Sequence, residues 1–522
     1  MLSIAPGLNT LKRGSVHLQK AAKVVNDQIG SRQVLAFFVL TGFVLCGVVE
    51  QSASVALRAN STSSYSAAEF AEYVENTSYI TRYCQPLEDS NGTESTYTIH
   101  VVRSIPHIEI PMTRTDETEG VLRQAFMWGT LVSPLAASRI AARVGAERLY
   151  GVGVLGTGVV AVLVPASWLT AGHVCVRIVQ GIFMGATWPA AHMLAVTWIK
   201  PKNLSAFVSL YSAVNLGYAV VGILGTVLVR HWGRDWLSYV ISVVSGVWYF
   251  LWWRFVEESL HPNRPKRDEH RNLPWRKLLG SKPAWACGVA VVGSQWADAT
   301  LMLGVTKYLK LVYGFSIEYA SSLIGCIDLF LCKAPVFQED ILQSMPHIGH
   351  FFAAITFGIV VDHVRASGIV STTTARKLFV YMSHFPPAAL MFILGYTGCD
   401  PAAPAALYVA ALAMTGATAS GVFSSAADIA PNFAGTVFGL CQTVGAAGLL
   451  AANYAVSEGL HGSFAGWWRL VFGASTAILL FTAIFFMIWG SGSVQDWNES
   501  ENEPSIELED VEEPSRLDSV LE

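Results

Sequence analysis

The chain has 522 residues, of which 52% are hydrophobic and only 14% are charged. An ordinary soluble protein carries about 25% charged residues, so the composition excludes a soluble enzyme and a disordered scaffold. The net charge of -4 gives no general attraction to a nucleic-acid backbone, and we expect no nucleic-acid partner. The composition instead predicts that most of the chain is surrounded by a lipid bilayer.

The N-terminal half reads as a tail followed by six membrane spans. Residues 1–32 are basic and have no signal-peptide core, which predicts a cytosolic tail. Residues 59–119 are polar and hold three glycosylation sequons, which predicts a glycosylated luminal loop. The sequons of this loop are at Asn60, Asn76 and Asn91. The six spans form a bundle over 33–256. The first span starts at Val34, and the others lie near 121–141, 147–167, 170–198, 204–229 and 236–255.

The C-terminal half repeats this pattern. Residues 257–282 lie in a stretch with eight basic residues between positions 254 and 282, which predicts a cytosolic loop between two bundles. A second six-helix bundle is predicted over 283–490. Residues 491–522 hold eleven acidic residues and predict a disordered cytosolic tail. Its spans lie near 284–308, 341–361, 376–397, 402–427, 433–457 and 467–490.

Residues 316–340 fit this pattern poorly. Their apolar middle, 323–331, is too short to cross a bilayer. The segment is either a luminal re-entrant piece or an exon-boundary artefact.

The whole chain therefore predicts an all-α membrane protein of twelve transmembrane helices in two bundles, with both termini in the cytosol. Matching sequences at the ends of spans two and eight support an internal repeat. The first runs from Ser138 through Ala142 to Arg143, and the second from Gly358 through Asp362 to Arg365. In both, a small residue precedes an arginine at the predicted cytosolic mouth.

Several strings narrow this layout to a family. They are VRIVQG at 176–181, WPAAH at 188–192, STTTARK at 371–377 and DIAP at 428–431. The chain from about 32 to 497 resembles a major facilitator superfamily transporter, within the anion transporter family of vesicular glutamate transporters, sialin and sodium/phosphate cotransporters. The resemblance implies alternating access, one substrate site near the membrane midplane, and an organic or inorganic anion as substrate. It implies coupling to the membrane potential, to protons or to sodium.

Arg177 is the first candidate for contact with the substrate. It lies about two turns inside span four, and a charge at that depth costs about 2.5–3.5 kcal/mol on insertion scales. A guanidinium can hold a carboxylate or phosphate with two hydrogen bonds, and the resemblance implies this role for an arginine of span four. The alternative is an arginine paired with a fixed acid of the protein.

Glu50 and Arg123 have matching predicted depths, and we expect them to form an ion pair. The resemblance implies Arg at the first position and His at the second in glutamate-transporting members, so the charge in span one is reversed here. Two readings stay open: a gate or proton-responsive carboxylate, and a structural pair at the luminal mouth.

Two further positions depart from the family pattern. Met184 stands where the resemblance implies an acid, and Ser294 where it implies an arginine. Asp298 lies one turn beyond Ser294 on the same helix face. It is a candidate partner for Arg177 in substrate binding, a candidate for cation coupling, or a polar residue that merely faces the pore.

The remaining candidates are uncharged or weakly basic. His192 is a candidate for gating or proton relay because histidine titrates near neutral pH, and its alternative is a hydrogen-bonded packing residue. Tyr211 and Asn215 in span five are candidates for neutral hydrogen bonds to the substrate, and helix packing is their alternative.

These observations predict a secondary active transporter of small anions, coupled to an ion or to the membrane potential. We expect no metal and no cofactor, because neither CxxC nor Cys/His ligand spacing occurs, with H⁺ or Na⁺ as possible coupling ions. The alternatives are an anion channel and a transport-dead sensor on the same fold, whereas an enzyme lacks support in paired catalytic residues. We expect a monomer in the plasma membrane or in a vesicular or lysosomal membrane.

Overall fold

Helices make up every regular element in the described part of the chain. The structure is a computed structural model that describes residues 31–61, 114–166, 170–257, 274–305, 308, 335–397, 402–458 and 465–498. The predicted sequons Asn76 and Asn91, the predicted N-terminal tail up to residue 30 and most of 316–340 lie outside these ranges. Asn60 lies in the last turn of the first helix, Ser31–Ser61.

The described residues of the N-terminal half form six long helices, and some of these helices are irregular. The third continues into a 3₁₀ turn, Val160–Leu163, and the sixth into a π turn, Trp253–Glu257. The fifth is assembled from short α, 3₁₀ and π pieces. We number them α1 Ser31–Ser61, α2 Arg114–Val144, α3 Ala146–Val159, α4 Thr170–Trp198, α5 Pro201–Trp232 and α6 Arg234–Trp252.

Six long helices also occur in the part of the C-terminal half that the structure describes. The first of them continues into a π turn, Thr300–Val305. The fourth breaks after Thr415 and resumes as a π turn, Ala419–Phe423, followed by Ser424–Ile429, and the label α10 includes this continuation. They are α7 Lys282–Ala299, α8 Pro335–Ala366, α9 Thr372–Leu394, α10 Ala402–Thr415, α11 Ala434–Glu458 and α12 Ala465–Trp489.

Eleven of these helices are long and apolar enough to cross a membrane. The twelfth, α2, has 31 residues and therefore a length of about 46 Å, but charged residues in its first turns reduce its apolar character. The predicted all-α membrane fold is confirmed, with helices at all twelve predicted spans. The cytosolic position of the termini remains a prediction.

The two ends of the helical bundle are named by the helix ends that lie there. We call the end at which α1 begins and α12 ends the tail-side face, and the opposite end the loop-side face. Three hydrogen bonds of the tail-side face show which helix ends meet there. The amide of Gln495 donates to the carbonyl of Ile429 at 2.9 Å, that of Gly492 to the Thr373 hydroxyl at 3.0 Å, and that of Asn432 to Asn498 Oδ1 at 2.9 Å.

These bonds correct one prediction. Residues 491–522 are predicted to be a disordered tail, but the first eight of them pack against the bundle. Trp497 and Asn498 are buried. Trp497 is a large apolar side chain that packs in the main core cluster, which offsets the conformational entropy lost by this part of the tail.

The two halves meet along two pairs of helices. The helix α2 packs along α11, and α5 packs along α8. A Cβ added to Gly439 of α11 would stand 2.8 Å from the Pro134 carbonyl oxygen of α2, so glycine is required for this close approach. This arrangement brings polar residues from both halves to the centre of the bundle.

The turns after α2 and α8 match, as the internal repeat requires. Gly145 and Gly368 follow these helices, and both have positive φ, 109° and 70°, which favours glycine. The second turn leads into α9, where the Ser371 hydroxyl accepts a hydrogen bond from the Thr374 amide at 3.1 Å. The first serine of the STTT string is therefore an N-cap.

Candidate functional site

Arg177 is buried between α1, α2 and α4, with 4% of its surface exposed. Its Nη1 donates to the Val49 carbonyl at 2.9 Å and to Gln180 Oε1 at 3.0 Å, and its Nη2 donates to the Glu50 carbonyl. The guanidinium also lies over the Phe126 ring, 4.7 Å from its centroid. Arg177 therefore joins α4 to the main chain of α1, and only Nε lacks a hydrogen-bond partner among the described residues.

The expected ion pair between Glu50 and Arg123 is wrong. Arg123 Nη2 lies 2.8 Å from Glu119 Oε1, one turn earlier on α2, and 2.8 Å from the Ser54 hydroxyl. Glu50 instead accepts a 2.6 Å hydrogen bond from the Tyr218 hydroxyl of α5. The physical reason is helix geometry: successive side chains lie about 100° apart, so Glu50 faces α5 while its neighbour Gln51 faces Arg123.

His347 links the two halves at the same level and was not singled out from the sequence. Its Nδ1 lies 3.0 Å from Asn215 Oδ1, and its ring meets the Tyr218 ring edge-on at 5.3 Å. Asn215 is therefore engaged with α8 in this structure. The sequence signal for His347 was its place in an apolar span, where a polar residue needs a partner.

Asp298 does not pair with Arg177, which is another correction. All hydrogen-bond partners of Arg177 lie on α1 and α4, whereas Asp298 Oδ1 is buried and has no partner in the described ranges. The reason is that main-chain carbonyls of α1 already satisfy the guanidinium. On α10, the Thr418 hydroxyl donates to Ser294, one turn before Asp298, at 3.2 Å.

Six aromatic and imidazole rings form a plug on the tail-side of Arg177. His192 stacks on Phe438 of the other half, with centroids 4.1 Å apart and planes at 9°. Trp188 meets Phe423 across the same boundary at 6.1 Å. We define the aromatic plug as Phe43, Trp188, His192, Tyr211, Phe423 and Phe438.

Two members of the aromatic plug carry unpaired polar atoms. Both ring nitrogens of His192 and the hydroxyl of Tyr211 are buried without a hydrogen-bond partner in the described structure. His192 is therefore a packing residue here, but not the hydrogen-bonded one that its alternative reading expected. The gating role of His192 and the substrate contact of Tyr211 remain predictions.

Replacing His192 with phenylalanine tests the packing role. We expect the thermal unfolding midpoint of the purified protein to stay unchanged or to rise, because the change removes two unsatisfied buried nitrogens at nearly constant shape. The gain expected is about 1 kcal/mol. Phe438→Ala, which removes the stacked ring, should lower the midpoint by an amount equivalent to about 3–5 kcal/mol. A clear drop for His192→Phe would contradict this interpretation.

A charged cluster joins the halves at the tail-side face. The carboxylate of Asp362 in α8 accepts hydrogen bonds from the amides of Ser205 and Ala206 at the start of α5, at 3.2 and 2.8 Å. Arg376 of α9 is fully buried, lies 2.6 Å from Asp428 Oδ2, and donates to the Ser205 hydroxyl at 2.8 Å. The STTTARK and DIAP strings contain Arg376 and Asp428, but their pairing was not predicted from the sequence.

Comparison with known proteins identifies the class. Residues 120–452 match the family model described as Major Facilitator Superfamily. The chain belongs to this superfamily, and it is a multi-pass integral membrane protein.

The relatives found by comparison agree with the resemblance seen in the sequence. The chain is similar to sialin of Homo sapiens, with 26% identity over 401 residues, covering 73% of this chain and 77% of sialin. It is also similar to vesicular glutamate transporter 2 of Homo sapiens, with 28% identity over 408 residues, covering 74% and 67% of the two chains.

Proposed function

We propose that this protein is a secondary active transporter of a small organic or inorganic anion. It acts by alternating access and not as an enzyme, and its transport is coupled to an ion or to the membrane potential. The observation that carries the proposal is the position of two cations, Arg123 and Arg177, against α1 near Glu50. The partner of Glu50, Tyr218, contacts His347 of the other half. The similarity to sialin and vesicular glutamate transporter 2 supports the proposal.

The proposed substrate contacts follow from the hydrogen-bond donors and charges of Arg123, Arg177 and Glu50. Arg123 retains 18% side-chain exposure and provides a cation within reach of an entering anion. Arg177 would exchange its bonds to the carbonyls of Val49 and Glu50 for bonds to anion oxygens, which a guanidinium holds in pairs. Glu50, bound to Tyr218, balances this charge while the site is empty.

The contacts that close the tail-side face favour alternating access and argue against a channel. The aromatic plug and the cluster of Asp362, Arg376 and Asp428 both join the two halves there. In this proposal the anion enters from the loop-side face, and the plug separates only when the halves rock. We propose that the monomer is the working unit, in the plasma membrane or in a vesicular or lysosomal membrane.

Uptake by reconstituted vesicles tests the proposal. Full-length protein in liposomes is offered glutamate, inorganic phosphate, sialic acid, urate and nucleotides, under separate proton, sodium and voltage gradients. We expect saturable uptake of at least one anion, and faster uptake when vesicles are preloaded with the same anion, because a carrier must return with or without cargo. Anion current without this acceleration would indicate a channel, and absence of uptake for every anion would contradict the proposal.

A further inference from the structure

Asp298 is a half-buried acid for which the described part of the chain shows no countercharge. It lies in α7 within the membrane, and its Oδ1 has no hydrogen-bond partner among the described residues. Buried charges in proteins are paired or bind a cation, and a charge in a span costs about 2.5–3.5 kcal/mol on insertion scales. The arginines Arg177 and Arg123 are bound elsewhere, Arg177 to α1 and Arg123 to Glu119.

Two helices are irregular close to Asp298, namely α7, which carries this residue, and α10. The α-helical part of α7 ends at Ala299, and a π turn, Thr300–Val305, follows. In α10 the α-helix ends at Thr415 and a π turn starts at Ala419. Such irregular turns in helices are frequent at functional sites, and in membrane spans they can line a cavity or hold an ion.

Hydroxyl groups lie one turn before the carboxylate and at the break in α10. The Thr418 hydroxyl bonds to that of Ser294, one turn before Asp298, at 3.2 Å, and Thr415 precedes Thr418 by about one turn of helix. His350 of α8 contacts Thr415 through Nδ1 at 3.1 Å. One carboxylate and three hydroxyls form an oxygen-rich set, which suits a hard cation, and a single negative charge balances a monovalent one.

We propose that Asp298, Ser294, Thr415 and Thr418 form a sodium site between α7 and α10. The cation supplies the charge that Asp298 lacks and holds the broken part of α10 against α7. Because α10 also carries Phe423 of the aromatic plug and Ser420, which accepts from Arg376, occupancy of this site acts directly on the contact between the halves. The coupling of sodium to anion movement rests on the proposed function, whereas sodium binding does not.

Sodium binding can be measured without knowing the substrate. Purified full-length protein is assayed for binding of ²²Na⁺ and for thermal unfolding in NaCl and in choline chloride of equal concentration. We expect saturable ²²Na⁺ binding and a higher unfolding midpoint in NaCl, as mass action requires for a ligand of the folded state. Equal midpoints in both salts together with absence of ²²Na⁺ binding would overturn the proposal. A midpoint that responds to pH but not to sodium would also overturn it and would indicate a proton site.

Two variants and a matched control locate the site. Asp298→Asn is expected to abolish sodium binding, and Thr418→Val to weaken it at least tenfold while the carboxylate remains. Asp235→Asn changes an acid of the same type in the exposed first turn of α6 and should bind sodium as the wild type does. Unchanged sodium affinity in Thr418→Val, or in folded Asp298→Asn, would overturn the assignment. Sodium binding without uptake of any anion would contradict the proposed function and leave the site in place.

Discussion

Arg177→Ala is expected to reduce anion uptake at least about a hundredfold while the protein still reaches the membrane. Hydrogen bonds to a charged group contribute about 1.5–3 kcal/mol each, and each 1.4 kcal/mol is a factor of ten in affinity. Loss of two bonds from a guanidinium to an anion therefore accounts for an effect of this size. Uptake per molecule, corrected for the amount of protein in the membrane, is the measurement.

Arg177→Lys separates the two roles of this residue. Lysine keeps the charge but not the planar pair of donors, so uptake should fall less than in Arg177→Ala. The exposed Arg234, which pairs with Asp235 at 3.6 Å on the surface, provides the matched control, and Arg234→Ala should transport as the wild type does. Normal uptake by Arg177→Ala would exclude Arg177 as a substrate contact. Its bonds to Val49 and Glu50 would then be its only role.

Arg376→Met is expected to have the largest effect on stability. The arginine is fully buried, and its loss leaves the Asp428 carboxylate without the partner that lies 2.6 Å away. Breaking a buried pair from one side costs about 3–5 kcal/mol, and the bonds to Ser205 and Ser420 are lost as well. We expect a large decrease in the thermal unfolding midpoint of the protein in detergent.

The double variant Arg376→Met, Asp428→Asn should recover a large part of this loss. It removes both charges, and a neutral replacement of a buried pair is often tolerated. Arg148→Met is the matched control, because Arg148 is 46% exposed in its pair with Glu257 and exposed pairs contribute about 0–1 kcal/mol. A double variant as unstable as Arg376→Met would show that the charge left on Asp428 is not the cause of the lower unfolding midpoint.

The fold could be predicted because its signals are local. Apolar runs of bilayer length, basic loops and the string STTTARK each act within a few turns of helix, so the positions of the spans follow from the sequence. The start of α9 at Thr372, before the predicted span near 376–397, depends on the Ser371 cap and was not predicted. The buried charges could also be selected as candidates, because any charge in a span is costly.

The partners of those charges could not be predicted, because they depend on helix rotation. A rotation of 100° decides whether Glu50 meets Arg123 or Tyr218. The carbonyls that bind Arg177 are main-chain groups, which leave no signal in the side-chain pattern. His347 was missed for the same reason: its partner Asn215 lies 132 residues away in the other half.

The hydrogen bonds at the starts of α5 and α11, both at the tail-side face, do not follow the internal repeat. Asp362 binds the amides at the start of α5 from the opposite half, but its counterpart in the first half is Ala142, which has no carboxylate. The start of α11 is bound instead by Asn498, which moves with its own half. In the proposed rocking motion, separation of the halves at this face therefore breaks the main-chain hydrogen bonds that Asp362 makes with the start of α5. This part of the energetic barrier to opening depends on a single side chain of the second half.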